Sequence, residues 1–104
     1  MNLFKPPNNA MKKLTFKDYV LQPEKYNLLD VRTHLERNNF HIGGIHIPLN
    51  ELPNRLSEIP TNKPILVYCN TGLRSARAIE YLKTKNLKVN IIKLKNGLSE
   101  STLI

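Results

Sequence analysis

Apolar positions along the chain switch between two periods, and the switches mark out its elements. Thr15 opens a helix-like stretch, Phe16-Lys17-Asp18-Tyr19-Val20-Leu21, which has to stop at Pro23 because the residue before a proline is kept out of helical angles. Leu28-Leu29-Asp30-Val31 is a short apolar strand, Thr33 to Asn39 is polar with helical character, and Ile45-His46-Ile47 reads as strand up to Pro48. Leu49, Leu52, Leu56 and Ile59 then recur near helical spacing until Pro60. Ile65-Leu66-Val67-Tyr68, entered through Lys63-Pro64, is continuously apolar, the pattern of a strand covered on both faces. Ser75 to Lys85 reads as a helix with Ala78, Ile79 and Leu82 on one face, and Val89 to Leu94 as the last strand. Strands alternating with helices predict right-handed βαβ units, so the expected fold class is α/β: a parallel sheet of about five short strands with helices on both faces.

Composition bounds what such a fold can do. The 104 residues make one domain. With 40% apolar residues and a mean hydropathy of −0.38, the chain is an ordinary globular one, and wholesale disorder is excluded. Its single cysteine, Cys69, rules out an intramolecular disulfide and a zinc site built from thiolates. Residues 1–10 contain no apolar run long enough for a signal peptide or a membrane span, which predicts a cytoplasmic protein. Pro6-Pro7-Asn8-Asn9 is loop chemistry, so residues 1–12 are expected to be a flexible arm and 13–104 a single domain.

Charge is the one compositional anomaly, 16 Lys and Arg against 8 Asp and Glu giving +8. The basic residues are scattered, only Lys12 and Lys13 are adjacent, and aromatic residues are 7% with no Trp to stack on bases. The reading is therefore no nucleic acid and no membrane. A basic surface gathers small anions or an acidic protein partner instead.

In open α/β sheets ligands collect at the carboxyl ends of the strands, and Cys69 stands at the end of the strongest one. The run Cys69-Asn70-Thr71-Gly72-Leu73-Arg74-Ser75 passes through a tight turn straight into a helix. A loop closing on a helix N-terminus aims free backbone N–H groups inward and adds the positive end of the helix dipole, which favours the nucleophilic thiolate. Gly72 lets the backbone bend around the sulfur, Arg74 offers a planar cation suited to an oxyanion, and Ser75 can cap the helix or donate to a bound anion. A lone cysteine beside a buried strand is otherwise an inert small hydrophobe.

These seven residues resemble the active-site loop of the rhodanese family of sulfurtransferases. Leu28-Leu29-Asp30-Val31-Arg32 resembles the family's first signature, an apolar strand ending in Asp-Val-Arg. His41-Ile42-Gly43-Gly44-Ile45-His46-Ile47-Pro48-Leu49, with Glu51-Leu52-Pro53-Asn54-Arg55-Leu56, resembles the second, in the version most similar to rhodanese domains attached to enzymes that activate sulfur-carrier proteins. The likeness runs from about Thr15 to Leu98. Two departures stand near the end, where the family commonly has a Gly-Gly turn and then a Trp: this chain has Asn96-Gly97-Leu98 and no Trp.

The resemblance implies a ping-pong reaction in which Cys69 takes a sulfur from a small anionic donor such as thiosulfate and holds it as a persulfide. A thiol, cyanide or an acidic sulfur-carrier protein then removes it. On this reading Cys69 is catalytic; Asn70, Thr71, Gly72, Leu73, Arg74 and Ser75 bind substrate through their backbone N–H groups, with Arg74 on the donor's sulfonate; and no cofactor or metal is needed. Asp30 and Arg32 are expected to brace the loop.

Two alternative readings fit the residues less well. A non-catalytic rhodanese-like binding module commonly lacks the cysteine that this chain keeps. Cys-dependent phosphatases and arsenate reductases place one more residue between Cys and Arg than the four found here, and Tyr68 replaces the His that often precedes their cysteine. His41 and His46 lack a third ligand at a recognisable spacing, His34 reads as a solvated helix residue, and Gly43-Gly44 as a turn.

Overall fold

A computed structural model describes residues 11–99. Strands β1 (Lys12–Leu14), β2 (Asn27–Asp30), β3 (Ile45–His46), β4 (Ile65–Tyr68) and β5 (Ile91–Leu94) form one sheet in the order β1-β5-β4-β2-β3, every neighbouring pair parallel. The α-helices are α1 (Phe16–Tyr19), α2 (His34–Asn39) and α3 (Leu73–Lys83). The central strand β4 lies in register with Asn27–Asp30 on one side and with Ile91–Lys93 on the other, which accounts for its unbroken apolar run.

Successive strand side chains point to opposite faces, so β4 feeds two cores. Ile65 and Val67 join Leu29, Ala78, Ile79 and Leu82 beneath α3, whereas Leu66 and Tyr68 join Leu28, Leu94 and Leu98, against which Phe16 and Tyr19 of α1 pack. Both faces of the sheet are thereby covered, as the pattern of the chain predicts.

Four details differ from the sequence reading, each for a physical reason. The helical spacing from Leu49 to Ile59 is realised as two 3-10 segments, Leu49–Asn54 and Leu56–Glu58; Pro53 has no N–H to continue an α-helix. β1 is a three-residue edge strand whose only half-buried side chain is Leu14, too short to leave an alternation signal. Met11 packs on the core and Lys12 begins β1, which moves the expected boundary at residue 13 back into the predicted arm; residues 1–10 of that arm lie outside the described residues. Finally, α3 starts at Leu73 rather than Ser75, with Gly72 at its N-cap in the left-handed region at φ 99°.

Candidate active site

Cys69 follows β4 directly and is fully buried. Its Sγ accepts the backbone N–H of Gly72 at 3.1 Å and that of Ser75 at 3.2 Å. Both amides belong to the open N-terminal turn of α3, where no intrahelical acceptor exists for them. The thiol in turn donates to Ser75 Oγ at 3.5 Å, and that hydroxyl donates to the carbonyl of Gly72 at 3.1 Å. Ser75 is therefore a buried residue of the first helical turn and not the N-cap; its hydroxyl and its amide both serve the sulfur.

A second set of contacts ties the loop to α2 and β2. Arg74 makes a two-pronged ion pair with Glu36, Nη1 to Oε1 at 2.7 Å and Nη2 to Oε2 at 2.9 Å. Asn70 Nδ2 donates to the same carboxylate at 2.7 Å, and Asn70 Oδ1 accepts from Arg32 Nη1 at 3.2 Å. Arg32 is in turn clamped by Asp30 through Nε and Nη2, both at 2.9 Å, and donates to the carbonyl of Phe40 at 2.6 Å.

The carboxylates respond to these partners. Hydrogen bonds from Arg74 hold Glu36 down to about 2 against the cost of burial, with the Thr33 amide and hydroxyl assisting. Burial pushes Asp30 up, but the hydrogen bonds and charge of Arg32 outweigh it and leave the carboxyl below its ordinary value. Tyr68, at the end of β4, is pushed up to about 12 by burial and by the charge of Asp30; its hydroxyl donates to the carbonyl of Gly43 at 2.9 Å and fixes the turn read from Gly43-Gly44.

The loop is also held from β5. The Leu98 amide donates to the Cys69 carbonyl at 2.9 Å, and Asn96 and Gly97 form the intervening turn at φ 62° and 65°. A Cβ on Gly97 would run into the Cys69 carbonyl and the Asn70 backbone, so this position accepts only glycine, whereas Asn tolerates the left-handed conformation at 96. Asn96, standing where the resemblance expects a first glycine, thus takes left-handed angles as Gly97 does.

Of the loop residues picked from the sequence, Cys69, Gly72 and Ser75 meet at the sulfur, while Arg74 and Asn70 meet at Glu36. Thr71 is exposed on the outside of the turn, and Leu73 is 61% exposed at its rim. An open depression of about 440 Å³ lies beside Asn70 and Thr71, bounded by Arg32, Glu36, Phe40 and Leu98.

Two charged residues were missed. Glu36 stands three residues after Thr33, the spacing of a capping box, and the box forms; that signal was available in the sequence. Lys93 interrupts the apolar alternation of β5 and brings its Nζ against Gly72, so close that a Cβ there would lie 2.9 Å from it.

The histidines stand apart from the sulfur. His34 Nε2 lies 3.0 Å from Glu51, His46 Nε2 donates to the Arg32 carbonyl at 2.7 Å, and His41 Nδ1 accepts the Gly43 amide at 2.9 Å. Among the described residues no three His, Cys, Asp or Glu side chains are grouped to hold a metal.

A cysteine at the carboxyl end of the central strand of a parallel sheet, its sulfur held by amides of a short loop that runs into a helix, defines the arrangement of this α/β domain. The Rhodanese-like domain family model matches residues 13–102, and the chain belongs to that family. It is 40% identical over 91 residues to the uncharacterized protein YqhL of Bacillus subtilis, covering 86% of this chain and 71% of the relative. It is also 32% identical over 72 residues to a sulfurtransferase of Allochromatium vinosum, covering 68% and 66%. Among solved structures, a rhodanese-related protein from Thermoplasma volcanium superposes with a TM-score of 0.78 at 30% identity, covering 88% of this chain and 90% of that one. No helix among the described residues is long and apolar enough to cross a membrane.

Proposed function

We propose that this protein is a sulfurtransferase that carries sulfane sulfur on Cys69, taking it from an anionic donor such as thiosulfate. The observation that carries this reading is the paired donation of the Gly72 and Ser75 amides to Sγ at 3.1 and 3.2 Å. Those donors favour a negative sulfur whether it belongs to a thiolate or to a persulfide, and they cost no reorganisation because the helix fixes them.

In the first half-reaction the Cys69 thiolate attacks the outer sulfur of thiosulfate. A bond forms between Sγ and that sulfur, the donor's S–S bond breaks, and its electron pair leaves with sulfite. In the second, a thiolate or cyanide attacks the outer sulfur of the persulfide; the cysteine–sulfur bond breaks and the thiolate of Cys69 is regenerated. Each sulfur moves with its electrons balanced, so no metal or organic cofactor enters.

The remaining loop residues support this chemistry in different ways. Gly72 and Ser75 hold the charge, and Asn70, Thr71 and Leu73 shape the mouth. Arg74 builds one wall with Glu36, so its charge reaches a donor's sulfonate already neutralised. The excess of +8 suits an acidic sulfur-carrier protein as acceptor, and a working free thiol suits a reducing, cytoplasmic setting.

The test is the intact mass of the protein after thiosulfate treatment. We expect a gain of about 32 Da, one sulfur, that cyanide removes and that Cys69→Ala never shows. An unchanged mass would overturn the reading, as would hydrolysis of an aryl phosphate at a rate comparable with sulfur transfer.

A further inference from the structure

We propose that Lys93, and not Arg74, is the cation that draws an anionic sulfur donor to Cys69. The inference rests on the sulfurtransferase reading and adds to it the residue that recognises the donor's charge.

The register of the sheet places Lys93. It pairs with Val67 of β4 on one side and with Lys13 of β1 on the other, and laterally paired residues of a parallel sheet share a face. Val67 belongs to the core beneath α3, so Lys93 projects to the α3 side, at the end of β5 nearest the Cys69 loop. There its ammonium rests on Gly72, the residue whose amide holds Sγ.

This is a poor place for an unaccompanied cation. Among the described residues Lys93 has no carboxylate partner; the charged groups that act on it are Lys13, of like sign, and Cys69. The positive end of the α3 dipole lies beside it as well. Burial and Lys13 both weaken its hold on its proton, and only the charge of Cys69 opposes them. An anion in the loop relieves the arrangement.

Arg74 is in the opposite situation. Both of its Nη groups are engaged by Glu36, and because Glu36 is held down to about 2 the pair stays formed throughout the neutral range. The Arg74–Glu36 pair contributes no net charge to the mouth of the loop, and Lys93 contributes a whole one.

The experiment compares the alkylation of Cys69 by iodoacetate, an anion, with that by iodoacetamide, which is neutral. Both reagents consume the same thiolate, so the ratio of their rates reads the potential at the sulfur and is insensitive to how much thiolate is present. Lys93→Met keeps the stem that packs on Gly72 and removes the charge; we expect the ratio to fall threefold or more. Lys93→Arg should keep it within twofold. The pair-neutral double variant Arg74→Met/Glu36→Gln should also stay within twofold, as should Lys88→Met, which removes an exposed cation at the far end of β5. In the unmodified protein the ratio should fall as salt is raised.

A smaller fall with Lys93→Met, an equal fall with Lys93→Arg, or a greater fall with the double variant would overturn the assignment. Alkylation requires no persulfide. A failed ratio therefore removes the role of Lys93 and leaves sulfur transfer standing, whereas a failed mass gain removes sulfur transfer and leaves the ratio as measured.

Discussion

Replacing Asp30 by Ala should cost more stability than any other single change around the site. Asp30 is wholly buried and Arg32 is 3% exposed; the carboxylate receives Arg32 Nε and Nη2, each at 2.9 Å, and the Arg32 amide at 3.0 Å. Removing the carboxylate leaves a guanidinium that cannot lose its proton, almost wholly buried at the edge of the depression beside Asn70. Breaking a buried pair from one side costs about 3–5 kcal/mol. Arg32 would keep its bonds to the Phe40 carbonyl and Asn70 Oδ1, so the lower end, about 3 kcal/mol, is the figure to expect.

Against a total of about 5–15 kcal/mol for a domain of ordinary stability, that is a large share. Urea unfolding followed by far-UV circular dichroism measures it. With a slope of about 1–1.5 kcal/mol/M the midpoint should drop by about 2 M, and the melting temperature by about 12 °C or more. The double variant Asp30→Leu/Arg32→Met removes both charges and should recover most of the loss, because a buried pair contributes little net stability over apolar residues of similar size. A single-variant cost below about 1 kcal/mol, or a double variant no better than the single, would refute the reasoning.

Acid should loosen the loop before it unfolds the sheet. Glu36 is lowered from 4.5 to about 2, so its contribution is complete above the unfolded value and is lost as pH falls from 4.5 towards 2; Glu36→Gln should flatten the stability curve over that window, measured by thermal melts at each pH. Gly97→Ala should destabilise by about 2 kcal/mol or more through left-handed strain and collision with the Cys69 carbonyl, while Asn96→Gly should change stability by no more than a few tenths, both read by urea titration. Inserting one glycine after Gly72 should enlarge the ring around Sγ, abolishing most sulfur transfer in a thiosulfate–cyanide assay while giving measurable affinity for phosphate or arsenate.

Local chemistry was the part of this molecule most open to reading from sequence. β4 showed itself as four unbroken apolar residues, and α2 as the polar stretch from Thr33 to Asn39, because each signal lies within a few residues of chain. What was hidden depends on register. β1 owes its existence to pairing with β5, and its own residues, Lys12-Lys13-Leu14, carry no strand pattern. The 3-10 segments hid behind a helical spacing because the three-residue step from Leu49 to Leu52 fits either helix, and the missing amide of Pro53 decides between them.

The candidate site divides in the same way. The Cys69 loop is one contiguous stretch, and its cysteine, tight turn and helix entry could be read directly. Its charges could not, since what Arg74 does is set by Glu36, 38 residues earlier, and what lies beside Gly72 is set by Lys93 across the sheet. A cation read from a motif is only a valence until its partner is known.

The loop's anchoring follows from that division. Asn70 is held through Glu36 and Arg32, the Cys69 carbonyl through Leu98, and Gly72 through the entry to α3, so α2, the end of β2, the turn after β5 and α3 all anchor the loop. The anchors fall on the sulfur side of the loop, where two amides lie within hydrogen-bond reach of Sγ, while Thr71 and Leu73 stay exposed on the other side. On the proposed function the anchored side of the loop holds the sulfur's charge, and Lys93 beside Gly72 meets the charge of the donor.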